Sequence, residues 1–202
     1  KANAINCFGS RNLAIAANRV NACLLHISTD YVFSGDKSGA YKETDVVNPQ
    51  SVYGKTKLLG EQAIAECCPE HIILRTAWVF GEHGNNFVKT MLKLAQTRDT
   101  LGVVSDQFGG PTYAKDIATT LIAITKAIHG GNKAYGVYHY SGAPHVSWKV
   151  FANEIFNVAL AKKEIPKAIT VNPITTADYP TPAKRPTNSK LDCTKIMELT
   201  KI

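Results

Sequence analysis

The sequence contains no apolar run approaching the roughly 18 residues that a membrane-spanning helix needs. It has no charged start followed by an apolar core, so it predicts no secretory signal. Its five cysteines are odd in number and lack C-x-x-C spacing, which argues against a disulfide framework or a zinc knuckle. The six histidines show no H-E-x-x-H motif, which favours surface or capping roles over metal ligation. These absences predict a reduced, cytoplasmic protein with no membrane or metal site.

Basic residues are also not gathered into a stripe. The 23 lysines and arginines outnumber the 16 aspartates and glutamates, and the net charge is +7. They are scattered along the chain rather than interleaved with aromatic residues, as they are in many nucleic-acid-binding modules. We therefore expect no nucleic-acid partner, and we interpret the excess charge as favouring solubility and an anionic small-molecule ligand.

Short apolar runs alternate with helical spacing along the chain. Strands are predicted at residues 23–27, 71–79, 101–104 and 136–140. Helices are predicted at residues 5–20, 51–66, 87–95, 114–128, 147–158 and 191–199. In the first helix, Ile5, Phe8 and Val20 fall on one predicted apolar face. This alternation predicts an α/β protein with a mostly parallel sheet.

A phosphate-binding glycine-rich turn is missing from this order of elements. Doubly wound nucleotide-binding sheets begin with a strand, a G-x-G-x-x-G turn and a helix. This chain begins on a predicted helix without an initial methionine, and neither residues 8–12 nor residues 108–111 match that turn. We therefore expect a Rossmann-like doubly wound parallel sheet of which only the C-terminal portion is present.

Tyr53 and Lys57 carry the sharpest chemical signal. They are four residues apart on a predicted helix, so their side chains share one face. A phenol ordinarily has a pKa near 10, and an adjacent ammonium and the positive helix end both stabilise the phenolate. We expect this pair to lower the pKa of Tyr53 and to let it exchange a proton with a carbonyl oxygen. A surface tyrosine packed along a lysine stem is the alternative.

A hydroxyl-rich turn, residues 28–31, follows the first predicted strand. Ligands of open α/β sheets bind beyond the carboxyl ends of the strands, so Thr29 is placed to hydrogen-bond the oxygen that Tyr53 protonates. A turn cap is the alternative interpretation of a Ser-Thr-Asp run.

Three longer motifs give the chain a specific resemblance. They are S-T-D-Y-V-F-S-G at 28–35, Y-G-K-T-K-L-x-G-E at 53–61 and L-R-T-A-W-V-F-G at 74–81, with further matches at 86–91, 106–114 and 185–192. From about residue 6 to its end, the chain resembles the extended short-chain dehydrogenase/reductase superfamily and, within it, the dTDP-4-dehydrorhamnose reductase family.

The resemblance implies NADPH-dependent reduction of the 4-keto group of dTDP-4-dehydro-6-deoxy-L-mannose. It makes Tyr53 the proton donor, Lys57 the residue that holds the nicotinamide ribose, and Thr29 the third member of the triad. It also implies contacts with the nucleotide-sugar substrate for Thr29, Asp30, Tyr31, Trp78, Gln107, Thr112 and Arg185. A core position for Trp78 and a solvated charge for Arg185 are the alternatives, although a guanidinium suits a diphosphate well.

The resemblance also divides the chain into two parts. Residues 1–82 and 113–146 correspond to the remainder of an NAD(P)-binding Rossmann domain, and residues 83–112 and 147–202 to a small α/β lobe for the sugar nucleotide. It allows NADH in place of NADPH, and a homodimer with Mg²⁺ at its interface. Because the glycine-rich portion is absent from the 202 residues, we expect the chain alone to have little or no turnover.

Two other functions are open at this point. The β subunit of methionine adenosyltransferase resembles the same family and is a non-catalytic regulatory subunit. A nucleotide-sugar epimerase or a GDP-sugar reductase would keep the chemistry and change the substrate. The joint presence of five residues favours catalysis, since a pure scaffold does not need that set: Thr29, Asp30, Tyr53, Lys57 and Trp78. The motifs at 106–114 and 185–192 favour the rhamnose-pathway reductase.

Overall fold

Strands and helices alternate along the chain in the computed structural model, which describes residues 1–181, 183 and 185–201. The helices are α1 Ser10–Arg19, α2 Val52–Cys67, α3 Phe87–Ala95, α4 Ala114–His129, α5 Trp148–Ala161 and α6 Thr194–Thr200. The strands are β1 Leu24–Thr29, β2 His71–Thr76, β3 Val79–Phe80, β4 Thr100–Val104, β5 Phe108–Gly109, β6 Thr112–Tyr113, β7 Gly136–His139, β8 Val146–Ser147, β9 Thr170–Ile174 and β10 Asn188–Ser189. A π-helical segment, Ala4–Gly9, leads into α1.

The central sheet is parallel and has helices on both of its faces. Its strand order is β1-β2-β7, and β2 occupies the middle. Side chains of β2 alternate between the faces: Ile72 and Leu74 pack in the cluster that includes α4 and α6, whereas Ile73 packs with α1 and α2. A strand buried on both faces explains the continuous apolar run from which it was predicted. The α/β class with parallel sheets is confirmed.

A second core belongs to the smaller lobe. Strands β4 and β9 pair in parallel, and Leu101 and Val103 of β4 pack with α3 and α5 through Met91, Ile155 and Phe156. Strand β5 lies between β10 and β8 in a small mixed sheet beside this core. Segments distant in sequence therefore meet between the two cores.

Helix α2 is fixed to the central sheet by a buried ion pair. Arg75 of β2 donates to both carboxylate oxygens of Glu61, with an Nη2–Oε2 distance of 2.6 Å. Glu61 lies one turn after Lys57, so the pair fixes the helix that carries the predicted catalytic residues. Removing one partner would leave a buried charge uncompensated, which typically costs about 3–5 kcal/mol.

Three local expectations differ from the structure. The strand predicted at 71–79 is divided into β2 and β3, because Trp78 between them adopts a φ of +50°. The face predicted to be buried in the first helix is exposed at Ile5, Phe8 and Val20, whereas Ser10 and Ala14 are buried. Small side chains are buried there because the helix approaches α2 closely.

The third difference concerns the end of the chain. The resemblance assigned residues 147–202 to the substrate lobe. In the structure, Ile196 of α6 packs in the core of the central sheet with Ile72, Ile124 and Tyr138. The chain therefore returns to the sheet after it leaves the lobe, because the apolar side of α6 covers the face beside α4.

Candidate active site

A cleft of about 440 Å³ lies where the carboxyl ends of β1 and β2 meet. Its walls include Thr29, Asp30, Tyr31, Tyr53 and Trp78, which are five of the predicted site residues. Thr29 ends β1 and is paired in register with Thr76 at the end of β2. The cleft is therefore at the edge of the sheet where open α/β proteins bind their ligands.

Tyr53 reaches this cleft from the first turn of α2. The Ser51 hydroxyl caps that helix by accepting from the Gly54 amide at 3.0 Å, so the helix begins with the phenol beside the cleft. Partial burial raises the pKa of Tyr53, the nearby Thr29 hydroxyl lowers it in part, and the nearby Asp30 charge raises it. Thr29 and Tyr53 are thus brought together as the sequence predicted, and the phenol holds its proton at neutral pH.

The effect predicted for Lys57 on this phenol is wrong. The pKa of Tyr53 is raised rather than lowered, because desolvation at the cleft wall outweighs the influence of Thr29, although 48% of the residue is exposed. The Lys57 ammonium donates instead to the carbonyl oxygen of Ile27 at 2.6 Å and to Nε2 of His26 at 3.2 Å. Burial also lowers the pKa of Lys57 itself, while Glu61 raises it.

His26 is a functional candidate that the sequence analysis missed. It lies in the middle of β1, where an apolar run predicted only a buried strand. Burial, and then the Lys57 charge, lower its pKa to about 4, so Nε2 is a neutral acceptor for the ammonium. A histidine two residues before the hydroxyl-rich turn was the available signal, but its partner Lys57 is 31 residues away and only the fold shows the contact.

Lys57 and His26 also line a more open cavity of about 680 Å³ beside α1. Asn6, Ser10 and Asn12 supply polar groups to the same cavity. Lys57, one turn after Tyr53 on α2, therefore faces this cavity, whereas Tyr53 lines the cleft. This arrangement provides hydrogen-bonding groups for a ligand that reaches the cleft from the side of β1.

Asp30 is a buried carboxyl in the wall of the cleft. Burial raises its pKa to about 6, and the nearby Ser189 and Thr29 hydroxyls oppose that rise. Thr29 Oγ1 donates to Oδ1 at 3.1 Å and accepts from the Tyr31 amide at 3.2 Å. The turn-cap interpretation of Thr29 is therefore correct, and it holds together with the contact to Tyr53.

Three polar atoms in the cleft wall are buried without a partner among the described residues. They are Ser28 Oγ, Asp30 Oδ2 and Thr76 Oγ1. Buried polar groups in native proteins are nearly always hydrogen-bonded, so such a cluster indicates a place where a polar ligand completes the bonding. A sugar carries hydroxyl groups of this kind.

A second cavity, of about 590 Å³, adjoins the cleft on the lobe side. Gln107 and Arg185 both line it, together with the cation of Arg98 and the rings of Trp148 and Tyr179. Arg185 is close enough to the cleft for its charge to lower the pKa of Tyr31, although burial raises that pKa overall. The pocket offers aromatic faces and guanidinium groups, a combination that suits a nucleoside diphosphate.

Thr112 occupies a different position from the one predicted for a substrate contact. It is fully buried, its hydroxyl donates to the Gly110 carbonyl at 2.9 Å, and the Gly142 amide donates to it at 3.0 Å. Its amide also donates to the carbonyl of Trp78 at 3.1 Å. Both hydroxyl bonds are made within the protein, so Thr112 supports the segment that carries Trp78 instead of facing a ligand.

Residues 1–181, 183 and 185–201 contain no cluster of three or more His, Cys, Asp or Glu that could hold a metal ion. Nothing within one copy of that part of the chain therefore supports the Mg²⁺ allowed by the resemblance. None of the helices described there combines the length and hydropathy needed to cross a bilayer. All five cysteines lie in the described part and are free.

Comparisons with known proteins agree on one group of relatives. The family profile described as RmlD substrate binding domain matches residues 1–202. A dTDP-4-dehydrorhamnose reductase from Aggregatibacter actinomycetemcomitans is 58% identical over 195 residues, which are 96% of this chain and 66% of the relative. The chain therefore spans about two thirds of the length of that relative.

Solved structures give the same result. A dTDP-4-dehydrorhamnose reductase from Clostridium acetobutylicum superimposes with a TM-score of 0.85 at 45% identity, covering 97% of this chain and 65% of that one. The enzyme of the same name from Bacillus anthracis, in complex with NADP, has a TM-score of 0.85 at 39% identity and covers 96% and 65%.

Proposed function

Because the chain belongs to the RmlD substrate-binding domain family, we propose that it carries the sugar side and the nicotinamide side of a dTDP-4-dehydrorhamnose reductase. The reaction would reduce the 4-keto group of dTDP-4-dehydro-6-deoxy-L-mannose to the alcohol of dTDP-L-rhamnose. The observation that carries the proposal is the cleft shared by Thr29 and Tyr53, next to a cationic and aromatic pocket.

The proton in this reaction comes from Tyr53. Its raised pKa keeps the phenol protonated before the reaction, which is the state that a proton donor needs. As a hydride is added to C4 of the sugar, the phenol donates its proton to the oxygen and the C=O bond becomes a CH–OH group. The Thr29 hydroxyl lies beside the phenol and lowers its pKa in part, which eases the transfer. The phenolate then regains a proton from solvent.

NADPH, when bound, supplies the hydride. The residues present fit its nicotinamide half, because Lys57, His26 and three short polar side chains line the cavity beside α1. We propose that Lys57 holds the ribose there and that His26 keeps the ammonium in place. The relative solved with NADP supports a nicotinamide cofactor of the phosphorylated type.

The substrate would occupy both cavities at once. The sugar would lie in the cleft against Trp78 and the unpartnered oxygens of Ser28, Asp30 and Thr76, and the diphosphate would lie near Arg185. The net charge of +7 favours the approach of such a dianionic ligand. Catalysis explains the residues of the cleft better than a non-catalytic regulatory subunit does. A subunit that only binds a partner does not need the Thr29 hydroxyl beside the Tyr53 phenol.

Three further expectations are part of the proposal. A nicotinamide-dependent reductase with five free cysteines fits the reducing cytoplasm. A homodimer is proposed on the resemblance alone. The 202 residues by themselves are proposed to have little turnover, because the glycine-rich turn that binds the cofactor's diphosphate is not among them.

The test compares the chain alone with the same chain fused to the part of the Aggregatibacter relative that lies outside the match. Each protein is mixed with the keto sugar nucleotide and NADPH, and the loss of nicotinamide absorbance is followed. We expect turnover by the fusion and almost none by the chain alone. A fusion that folds and binds NADPH but reduces no substrate would contradict the proposed function. Rapid NADPH oxidation by the chain alone would contradict the expected loss of turnover.

A further inference from the structure

The two tryptophans of the chain are stacked on each other between the two cavities. Their ring centroids are 3.5 Å apart, and their planes differ by 12°. Trp78 lines the cleft with Thr29 and Tyr53, whereas Trp148 lines the pocket with Arg185. The indole pair is therefore a wall that both cavities share.

The surroundings confine the Trp78 indole. Its backbone has a φ of +50°, in the left-handed region that bulky residues rarely adopt. An added Cβ on Gly109 would lie only 2.6 Å from the Cε2 atom of Trp78, so the absence of a side chain there makes room for the ring. An uncommon backbone conformation persists where neighbouring groups hold the residue in place, and the face of Trp148 is one of those groups.

Trp148 is held in turn by the core of the lobe. It is the first residue of α5, and the Ser147 hydroxyl caps this helix by accepting from the Val150 amide at 3.2 Å. The rings of Phe87 and Phe151 lie 4.6 Å and 6.4 Å from its ring, between centroids. The lobe thus sets the orientation of the Trp148 ring, and stacking against Trp148 sets the orientation of the Trp78 ring in the cleft wall.

We propose that Trp148 is a positioning residue, which fixes the plane of Trp78 and thereby sets how much affinity the sugar adds to a nucleoside-diphosphate ligand. The inference rests on the proposed function, because it takes the cleft as the site of the sugar. A residue that only contacts the nucleotide would affect the free nucleotide and the nucleotide sugar equally. A residue that acts through Trp78 affects the contribution of the sugar.

The stack itself is tested by circular dichroism of the 202-residue chain. Two stacked indoles couple their transitions and produce a two-signed exciton band, and only one tryptophan pair exists in this sequence. We expect the band in the wild type and its loss in both Trp148→Leu and Trp78→Leu, with the helical signal retained. A wild type without the band would overturn the inference.

Calorimetric titration with dTDP and with dTDP-L-rhamnose then measures the gain in affinity that the sugar provides. In Trp148→Leu we expect this gain to fall roughly three- to tenfold, the range that an aromatic pair contributes. Trp148→Phe keeps a ring and should retain most of the gain, which also controls for misfolding of the leucine variant. The Trp78→Leu/Trp148→Leu double variant should show no smaller gain than Trp78→Leu alone, because the two residues act in series.

Two results of the titrations would also overturn the inference while leaving the proposed function intact. One is an equal loss of affinity for both ligands in Trp148→Leu, which would make Trp148 a direct nucleotide contact. The other is a double variant whose loss is the sum of the two single losses. A folded wild type that binds neither ligand would overturn the proposed function, and the inference with it.

Discussion

Tyr53 shows how opposing effects on one group decide its chemical role. Burial raises its pKa and the Thr29 hydroxyl lowers it in part, so the phenol is a proton donor at rest rather than a phenolate. Lys57, expected to make it acidic, has its ammonium on Ile27 and His26. Under the proposed function, Lys57 would hold a ligand in the cavity beside α1.

Titration of Asp30 should make the binding of the proposed sugar ligand depend on pH. Above its pKa of about 6 the carboxylate would accept strongly from the hydroxyls of the proposed sugar ligand through the Oδ2 atom, and protonation removes that charge. We expect the affinity for dTDP-L-rhamnose to fall up to about tenfold when the pH is lowered from about 7 to about 5. Titration calorimetry of the wild type at the two pH values measures this change.

Two variants control this prediction. Asp30→Asn should bind more weakly at neutral pH and lose most of the pH dependence, because the amide does not titrate. Asp116→Asn changes an exposed aspartate outside both cavities and should behave as the wild type. An Asp30→Asn protein with the full pH dependence would show that another group is responsible.

The sequence was a better guide to where Tyr53 and Thr29 lie than to the contacts and burial of the site residues. The position of Tyr53 in the first turn of a helix and the turn at Thr29 pointed to the cleft that both residues line, because helix starts and strand ends are local properties. The bond from Lys57 to His26 and the burial of Thr112 depend on contacts between distant segments. Such contacts leave no trace in spacing, so the direction of the pKa shift of Tyr53 could not be predicted.

At the scale of elements, close backbone approach positions α2. Its Gly60 lies against the π-helical segment before α1, and an added Cβ would be 2.1 Å from the Asn6 carbonyl oxygen. On the other side, a Cβ on Gly54 would be 2.2 Å from the Tyr31 carbonyl oxygen. Two glycines therefore let the helix carrying Tyr53 lie close to both neighbours.

The Gly60→Ala variant tests this packing. The added methyl group meets backbone that must move, so we expect a loss of about 1–3 kcal/mol in the free energy of unfolding, measured with urea. Gly9→Ala is the matched control, because Gly9 is also helical and its nearest atom would be 3.6 Å away. That variant should be neutral or gain up to about 1 kcal/mol. Equal effects of the two substitutions would refute the packing argument.

The same close approach explains which elements the sequence predicted well. Helix α4 was found from its apolar periodicity, α5 from its Ser147 cap and α2 from the prolines that flank it, and all three signals are local. The buried face of α1 was predicted wrongly, because Ser10 and Ala14 are buried for their small size rather than their hydrophobicity. The break at Trp78 was missed, because a positive φ at a tryptophan is imposed by its surroundings.

At the scale of the whole molecule, the functional cavities lie between two cores that each form around parallel strands. The central sheet contributes Thr29 and Asp30, α2 contributes Tyr53, and the lobe contributes Gln107 and the Trp148 side of the stack. Stability of both cores is therefore needed to keep the cavities adjacent. Loss of either core would therefore disrupt the arrangement of the cleft and the neighbouring pocket.

The stability of the molecule should depend on pH through His139. This side chain is fully buried against Tyr41 and Phe33, and burial, followed by the Arg75 charge, lowers its pKa to about 3. The unfolded chain has a histidine pKa near 6.5 and takes up the proton first on acidification, so the folded state loses stability as the pH falls below about 6.5.

We expect this contribution to amount to about 1.4 kcal/mol per pH unit between about pH 6 and pH 4. Asp30, whose pKa is raised, and His26, whose pKa is lowered, titrate over part of this range, so the measurement compares two proteins. Urea unfolding of wild type and His139→Asn at several pH values gives the difference in slope. Parallel stability curves for the two proteins would show that His139 does not titrate as expected.

The proposed function depends above all on the phenol of Tyr53 delivering the proton to the keto oxygen. Its most direct test is the rate of NADPH oxidation by the fusion protein with the keto sugar nucleotide, compared between Tyr53→Phe and Tyr113→Phe. Tyr113 donates to Glu82 outside the cleft, so its variant should keep the wild-type rate. We predict that Tyr53→Phe lowers kcat about 100- to 10,000-fold while product binding is retained. A Tyr53→Phe enzyme that binds the product and turns over at the wild-type rate would contradict the account.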